Sequence, residues 1–198
     1  MRRRTAPKVK DGQVQYKNNW TRDRDDYHAW RQSEIKLDRR PPGDGYRHLL
    51  TIDQLRRAIA LLPGWEEMAG GLDAVVLDTH DDDVMGWHYD GVIAICAWRR
   101  DLWWRDTHPW FLDQSRDLLD LLGVEQRRLG PRTELRWTEE QARAYQVLDV
   151  LPHELGHHHD RMTTRSRDRA ARGEPYAEAY ARRALESMWP AYVREFRL

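Results

Sequence analysis

Two histidines and a glutamate lie close together in the sequence HELGH, residues 153–157. On a helix, side chains four residues apart share one face, so His153 and His157 can bind one metal ion together. Zn²⁺ suits such a site because it accepts neutral imidazole nitrogens and imposes no geometry of its own. Glu154 projects beside that face, where its carboxylate can act as a general base toward a water on the metal. The motif therefore predicts a catalytic site that holds one zinc ion per chain.

A second segment supplies candidate carboxylate ligands. Residues 174–181 read EPYAEAYA and begin a predicted helix, with Pro175 suited to its first turn. Glu174 and Glu178 are four residues apart, so they too share a face. The nearer of the two can complete a set of three protein ligands, which leaves the fourth zinc position for water, as in catalytic sites. Glu178 can then accept a hydrogen bond from the free ring N–H of a zinc-bound histidine.

The combination of HELGH with a following helix that carries E-x-x-A-E-x-Y-A resembles the gluzincin metallopeptidases. It is most similar to the anthrax lethal factor type, and the small ImmA/IrrE-type peptidases share the pattern of the second helix. The resemblance covers roughly the last sixty residues. It implies zinc-dependent peptide-bond hydrolysis in a zincin-like fold. For individual residues it implies the zinc ligands His153, His157 and Glu174, the general base Glu154, and supporting positions at Glu178 and Asp160.

The region around the motif departs from related patterns in two ways. Asp160 and Thr163 occupy the positions where metzincins have glycine and a third histidine, so that branch is excluded. Asp160 lies seven residues after His153 and returns to the ligand face, where it can hold a ligand in place or be an ordinary charge at a helix end. Pro152 removes one helical hydrogen bond, so we expect a kink or the beginning of a new turn just before the first ligand. His158 and His159 are expected to point away from the zinc face.

The preceding segments predict the elements that position this site. Thr51 with Gln54, and Thr138 with Gln141, match the capping-box pattern that begins a helix, and the second of these helices leads into HELGH. Residues 72–77 form a short apolar run that indicates a strand. Residues 84–89 and 92–98 predict a hairpin around the Asp-Gly turn at 90–91.

The second strand of this hairpin has two interpretations. It can be the edge strand above the metal helix, where an extended peptide adds as a further strand, or it can be a buried central strand. His88 and Tyr89 lie near this edge and are candidate donors to the oxyanion of the reaction. The alternative for both is a surface histidine and a packed tyrosine.

The amino-acid composition limits the kinds of binding partner and the cellular location that we expect for this chain. The 198 residues include 33 basic and 33 acidic side chains, so no net field favours nucleic acid or a membrane surface. No segment approaches the ~20 apolar residues of a membrane span. The single cysteine, Cys96, cannot form an internal disulfide, which fits a cytoplasmic protein. Residues 1–45 are polar and charged and predict a poorly packed N-terminal arm, followed by a folded domain over 46–198.

Together these features predict an α+β, zincin-like domain. A small twisted, mostly antiparallel sheet is expected to pack on the HExxH helix and on a C-terminal helix that carries the glutamate ligand. The predicted function is that of a zinc metalloendopeptidase acting on a protein or peptide substrate. The alternative is a catalytically inactive binding or regulatory module with a structural or vestigial metal site.

Overall fold

The chain forms a layer of helices packed against small β-sheets. The computed structural model describes residues 27, 34–80, 84–89, 91–164 and 172–196, together with the backbone of 8–10 and 13–15. Helices and strands are mixed along these residues, and the strands pair both in parallel and antiparallel. The prediction of an α+β fold is confirmed.

The largest sheet has four strands. In spatial order they are β3 (Lys36–Arg39), β5 (Ala74–Asp78), β7 (Val92–Cys96) and β6 (Gly86–Tyr89). The first three are parallel, and β6 is antiparallel to β7. The prediction of a mostly antiparallel sheet is wrong here, because the chain makes crossover connections from β3 to β5 and from β5 to β7, and a crossover returns a strand in the parallel direction. The predicted hairpin of β6 and β7 is confirmed, with Gly91 at φ +84° in its turn.

Strand β7 is central, and this settles the choice between its two interpretations. It pairs with β5 on one side and with β6 on the other, and all five of its residues are buried. The edge-strand interpretation of β7 is therefore wrong. The strand at this edge of the sheet is β6.

The two faces of this sheet pack against different groups of side chains. Ile93 and Ile95 face the main core, which they share with the helices. Val92, Ala94 and Cys96 face a second, smaller cluster on the other side. Because directly paired residues of antiparallel strands share a face, the register of β6 on β7 decides which β6 side chains face the helices.

Part of the predicted N-terminal arm belongs to the packed fold. Strand β3 lies within residues 1–45 yet is the outer parallel strand of the main sheet. Tyr27 is 2 % exposed, and its hydroxyl donates a hydrogen bond of 2.6 Å to Asp38. The boundary at 45/46 is therefore wrong for these residues, because polar composition does not reveal a short strand whose backbone is paired. Residues 1–7, 11, 12, 16–26 and 28–33 of the predicted arm lie outside the described residues.

The remaining described strands form three small antiparallel sheets. The first joins β1 (Lys8–Lys10) and β2 (Gln13–Gln15). The second joins β4 (Tyr46–Arg47) and β8 (Trp98–Arg99). The third is a three-stranded sheet in the order β10 (Glu125–Leu129), β11 (Arg132–Arg136), β9 (Trp103–Trp104).

Two of the helices that surround the sheet begin where the sequence predicts them. Helix α1 (Ile52–Ile59) is capped by Thr51 and helix α5 (Glu139–Tyr145) by Thr138, and both capping boxes are complete. Further helices lie between them, namely α2 (Trp65–Met68), α3 (Pro109–Gln114) and α4 (Arg116–Leu122).

The helix that carries HELGH changes to a wider, π-helical turn just before the motif. Helix α5 continues into a π-helical turn, Gln146–Val150, and then into α6 (Leu151–Thr163), with Pro152 in its first turn. Since proline cannot donate to the carbonyl four residues earlier and its ring collides with it, the wider π turn accommodates Pro152 without breaking the helix. The prediction of a new turn at this proline is confirmed.

The last helix, α7 (Gly173–Phe196), packs along α6. It extends well beyond residues 174–181, where the sequence predicts its beginning. Gly156 allows the two helices to approach closely, because a Cβ at this position would lie 2.8 Å from the Cα of Ala177. None of the helices in the described part of the chain combines the length and the apolar composition needed to cross a membrane.

Candidate metal centre

Helices α6 and α7 bring three side chains together. His153 and His157 lie one turn apart on α6, and their Nε2 atoms are 3.0 Å apart. Oε2 of Glu174, in the first turn of α7, lies 3.4 Å from the first of these atoms and 3.5 Å from the second. The three predicted ligands therefore meet, although Glu174 comes from a separate segment of the chain. Among the described residues they form a group that could hold a metal ion.

The distances between these atoms fit a small, tetrahedrally coordinated cation. Two atoms that each lie about 2.0–2.2 Å from a tetrahedral zinc ion are about 3.3–3.6 Å from each other. The two distances to Glu174 fall in this range, and the distance between the imidazoles is slightly shorter. Glu174 is half exposed while both histidines are more buried, so the open side of the trio faces solvent. A set of two imidazoles and one carboxylate with an open side is typical of catalytic zinc rather than structural zinc.

The charges around His153 stabilise its protonated form when no metal is bound. Burial alone would lower the pKa of His153, but the carboxylates of Glu174, Glu154 and Asp149 outweigh it and raise the pKa. The same negative charges attract a cation to the site. Metal binding and protonation therefore compete for this imidazole.

Glu154 lies beside the ligands and is held from the opposite side by the sheet. It is 8 % exposed, and its Oε2 lies 3.4 Å from Nδ1 of His88 on β6. Burial would raise the pKa of Glu154, but the contact with His88 and the nearby imidazoles of His153 and His157 lower it overall. This carboxyl group is therefore ionised near neutral pH, which is the state that accepts a proton. Gly86 allows the close approach, because a Cβ at this position would lie 2.9 Å from Cγ of Glu154.

The two candidate oxyanion donors on β6 lie on opposite faces of the sheet. His88 is paired with Ile93, faces the helices, and stacks on His157 with ring centroids 4.7 Å apart. Tyr89 is paired with Val92 and packs against the second cluster, away from α6. The prediction for Tyr89 is therefore wrong, because the two-residue repeat of a strand turns adjacent side chains to opposite faces. His88 is at the site, where its observed contact is with the carboxylate of Glu154.

Asp160 holds the beginning of α7 in place. Its side chain is fully buried and accepts hydrogen bonds from Arg172 Nε at 2.7 Å, from the Arg172 backbone N–H at 3.2 Å and from the Gly173 backbone N–H at 2.8 Å. Burial would raise the pKa of Asp160, but these donors lower it overall. Because Glu174 directly follows Gly173, this carboxylate fixes the backbone next to the third ligand. The predicted bracing role is exerted through the backbone of α7.

Two further carboxyl groups, those of Asp149 and Glu178, lie near His153. Burial raises the pKa of Asp149; the carboxylates of Glu154 and Glu178 act in the same direction, while His153 and Tyr145 oppose them. Glu178 therefore lies near this corner of the site. Its predicted hydrogen bond with a zinc-bound histidine stays a prediction.

The neighbouring histidines of α6 have other partners, as expected from their helical angles. His158 is 2 % exposed, its Nε2 lies 3.1 Å from the Gly70 carbonyl, and burial lowers its pKa to about 4. His159 lies 2.7 Å from the Tyr176 hydroxyl through Nδ1. Neither ring contributes to the group of ligand atoms.

Sequence reasoning missed Asp149 and Arg172. Asp149 carries a local signal, because it lies one turn before His153, in the π turn that precedes Pro152. Arg172 carries none, since its partner Asp160 is twelve residues away across an arginine-rich stretch in which any of several residues could have been chosen. Comparison of the chain with known proteins finds no matching protein-family model, no matching curated protein and no matching solved structure.

Proposed function

We propose that this protein is a zinc-dependent metalloendopeptidase with a zincin-like fold. One observation carries the proposal: two imidazoles from α6 and one carboxylate from α7 converge with their ligand atoms 3.0–3.5 Å apart, beside an ionised glutamate. A purely structural metal site has no use for Glu154. The resemblance of the two segments to gluzincins supports the same assignment.

The residues have separate tasks in the proposed reaction. His153, His157 and Glu174 would hold the metal, and the half-exposed Glu174 leaves the open side to solvent and substrate. Bound zinc would polarise the peptide carbonyl and lower the pKa of a bound water to about 7. Glu154 accepts the proton of the attacking water and passes it to the nitrogen of the leaving amine. His88 contacts the carboxylate of Glu154 and holds it beside the metal ligands.

The sheet provides a way to bind an extended peptide. Strand β6 is an edge of the main sheet, and Gly86 and His88 face the metal helix. A peptide that adds as a further strand on this edge makes backbone hydrogen bonds and passes over the metal centre. We also propose a cytoplasmic location, which Cys96 supports, because it is the single cysteine of the sequence and is buried.

The proposal is tested by comparing wild type with Glu154→Gln, after loading both with zinc. The substitution keeps the size of the side chain but removes the base. We expect one zinc per chain in both proteins, measured by elemental analysis, and cleavage of a mixed peptide library by wild type alone, measured by mass spectrometry. If both proteins hold one zinc and neither cleaves, the result supports the alternative of a binding or regulatory module. If neither holds zinc, the metal centre itself is wrong.

A further inference from the structure

A second depression lies at the end of the main sheet where β6 begins. Its volume is about 470 Å³, within the ~300–1,000 Å³ range of pockets that bind organic groups. Large rings form much of its lining, namely Trp98, Trp103, Trp104 and Phe111, and we call it the aromatic cleft. Trp98 stacks on Trp104 at 4.9 Å between ring centroids, and Trp104 meets Phe111 at 5.2 Å. The walls therefore brace one another and keep their shape.

Two connections place the aromatic cleft next to the metal centre. Met85 lines the cleft and directly precedes Gly86, which packs against Glu154. Cys96 also lines it, and its carbonyl accepts a hydrogen bond of 2.8 Å from Gln146, in the π turn that leads into α6. Strand residues are spaced by about 3.4 Å, so Met85 is about 10 Å along the chain from His88. A peptide lying on β6 therefore reaches the cleft within about three residues of the bond above the metal.

The charges at the rim of the cleft favour an uncharged occupant. Arg99 and Arg105 both form ion pairs with Asp101, at 3.3 Å and 3.0 Å. Arg105 also lies over the ring of Trp103, 4.0 Å from its centroid. These cations are already engaged with the protein, so the cleft selects by shape and by apolar surface.

We propose that the aromatic cleft is a subsite for a large apolar or aromatic side chain of the peptide substrate, within about three residues of the cleaved bond. The occupant is a peptide segment, because the cleft continues from β6, the edge strand of the main sheet, on which an extended peptide can add as a further strand. This proposal rests on the proposed function and adds a substrate class to it.

The test compares zinc-loaded wild type with Val84→Trp, which adds a large ring to the lining of the cleft, and with Trp103→Ala, which removes one wall. Leu121→Trp is the matched control, since it adds the same ring at an exposed position of α4. The substrates are synthetic peptides that differ only by Phe or Ala at one position at a time around the cleaved bond. The measured quantity is the ratio of kcat/KM for Phe over Ala, which does not depend on how much of each variant is folded.

We expect one position at which wild type and Leu121→Trp prefer Phe by about ten- to a hundredfold, the range expected for burying one such side chain. The ratio falls toward one in Val84→Trp and decreases in Trp103→Ala. Absence of any preferred position in wild type, or an unchanged ratio in both cleft variants, overturns the proposal.

Failure of the proposed function can be told apart from failure of the cleft. If zinc-loaded wild type cleaves none of the peptides, the proposed hydrolysis is wrong, and the cleft is tested by binding. Fluorescein-labelled Phe and Ala peptides are then titrated with Glu154→Gln and with the double variant Glu154→Gln/Val84→Trp. Tighter binding of the Phe peptide that is lost in the double variant supports a peptide-binding cleft. Equal affinity of Glu154→Gln for both peptides overturns it.

Discussion

Replacing Asp160 by asparagine should weaken both the fold and the metal site. The carboxylate is fully buried and joins the end of α6 to the beginning of α7 through Arg172 and Gly173. Asparagine keeps the shape but has no charge and only one acceptor oxygen. This oxygen can accept hydrogen bonds from the guanidinium or from the backbone N–H groups, but not from both. The amide N–H₂ group must then face the remaining donors.

The size of the effect follows from these contacts. A hydrogen bond to a charged group contributes about 1.5–3 kcal/mol, and breaking a buried ion pair costs about 3–5 kcal/mol. The side chain of Arg172 is 40 % exposed and can be solvated again, which reduces the loss. We expect a decrease of about 2–4 kcal/mol in the free energy of unfolding. Zinc affinity should fall by about 10- to 100-fold, as for other groups that orient a metal ligand, because Glu174 follows the released segment.

The assay is urea unfolding of the metal-free proteins, followed by zinc titration under conditions where both are folded. Asp113→Asn is the matched control. It removes an aspartate that also lies 2.7 Å from an arginine, but both side chains of that pair are more than 60 % exposed. An exposed pair contributes at most about 1 kcal/mol, so the control should be nearly as stable as wild type and bind zinc normally. If Asp160→Asn behaves like Asp113→Asn in both measurements, the assigned role of Asp160 is wrong.

The same pair of proteins gives a prediction for pH. The pKa of Asp160 is lowered in the folded protein from its ordinary value of 3.8. Its contribution to stability is therefore fully present above that value and is lost as the pH falls through the lowered pKa. The difference in unfolding free energy between wild type and Asp160→Asn should be constant near neutral pH and shrink below about pH 4. A difference that grows on acidification contradicts the assignment.

Three further perturbations test the site and its supports. His88→Phe keeps a ring stacked on His157 but removes the contact with Glu154. We expect kcat to fall about tenfold or more while the zinc content stays unchanged. An unchanged kcat would exclude His88 from the reaction. Gly156→Ala forces a methyl group against the Cα of Ala177 and should lower the unfolding free energy by about 1–3 kcal/mol in urea titration, whereas no loss would mean that α6 and α7 separate freely. A chelator should lower the Tm of zinc-loaded wild type, because the metal ties two helices together, and a Tm insensitive to chelation would argue against a metal shared by them.

The local patterns of the sequence were sufficient to predict where α1 and α5 begin and to place His153 and His157 on one helix face. The capping boxes at Thr51 and Thr138 depend on residues three apart, and the face shared by His153 and His157 depends on residues four apart, so both follow from helix geometry. Glu174 required the resemblance as well, because no spacing rule relates two segments joined by a loop.

The arrangement of the sheet was not predictable in the same way. Strand β7 is apolar on both faces, and this pattern fits a central strand of either direction. The position of β6 at the edge of the sheet depends on strand pairing that no short sequence pattern encodes. The same pairing places His88 against Glu154 and Tyr89 on the far face of the sheet. Strand β3 was missed because a polar strand at the edge of a sheet is held by backbone hydrogen bonds that leave no trace in composition.

The most direct measurement of the central claim is zinc titration of wild type, Glu174→Gln and Glu186→Gln against a competing chromogenic chelator. Glu186 is exposed on the same helix and twelve residues further on, about 18 Å along its axis, so its substitution controls for the loss of one charge from α7. The account predicts one zinc per chain, with affinity at least about tenfold weaker in Glu174→Gln and unchanged in Glu186→Gln. Equal affinity of all three proteins for zinc would contradict a metal centre that α6 and α7 build together.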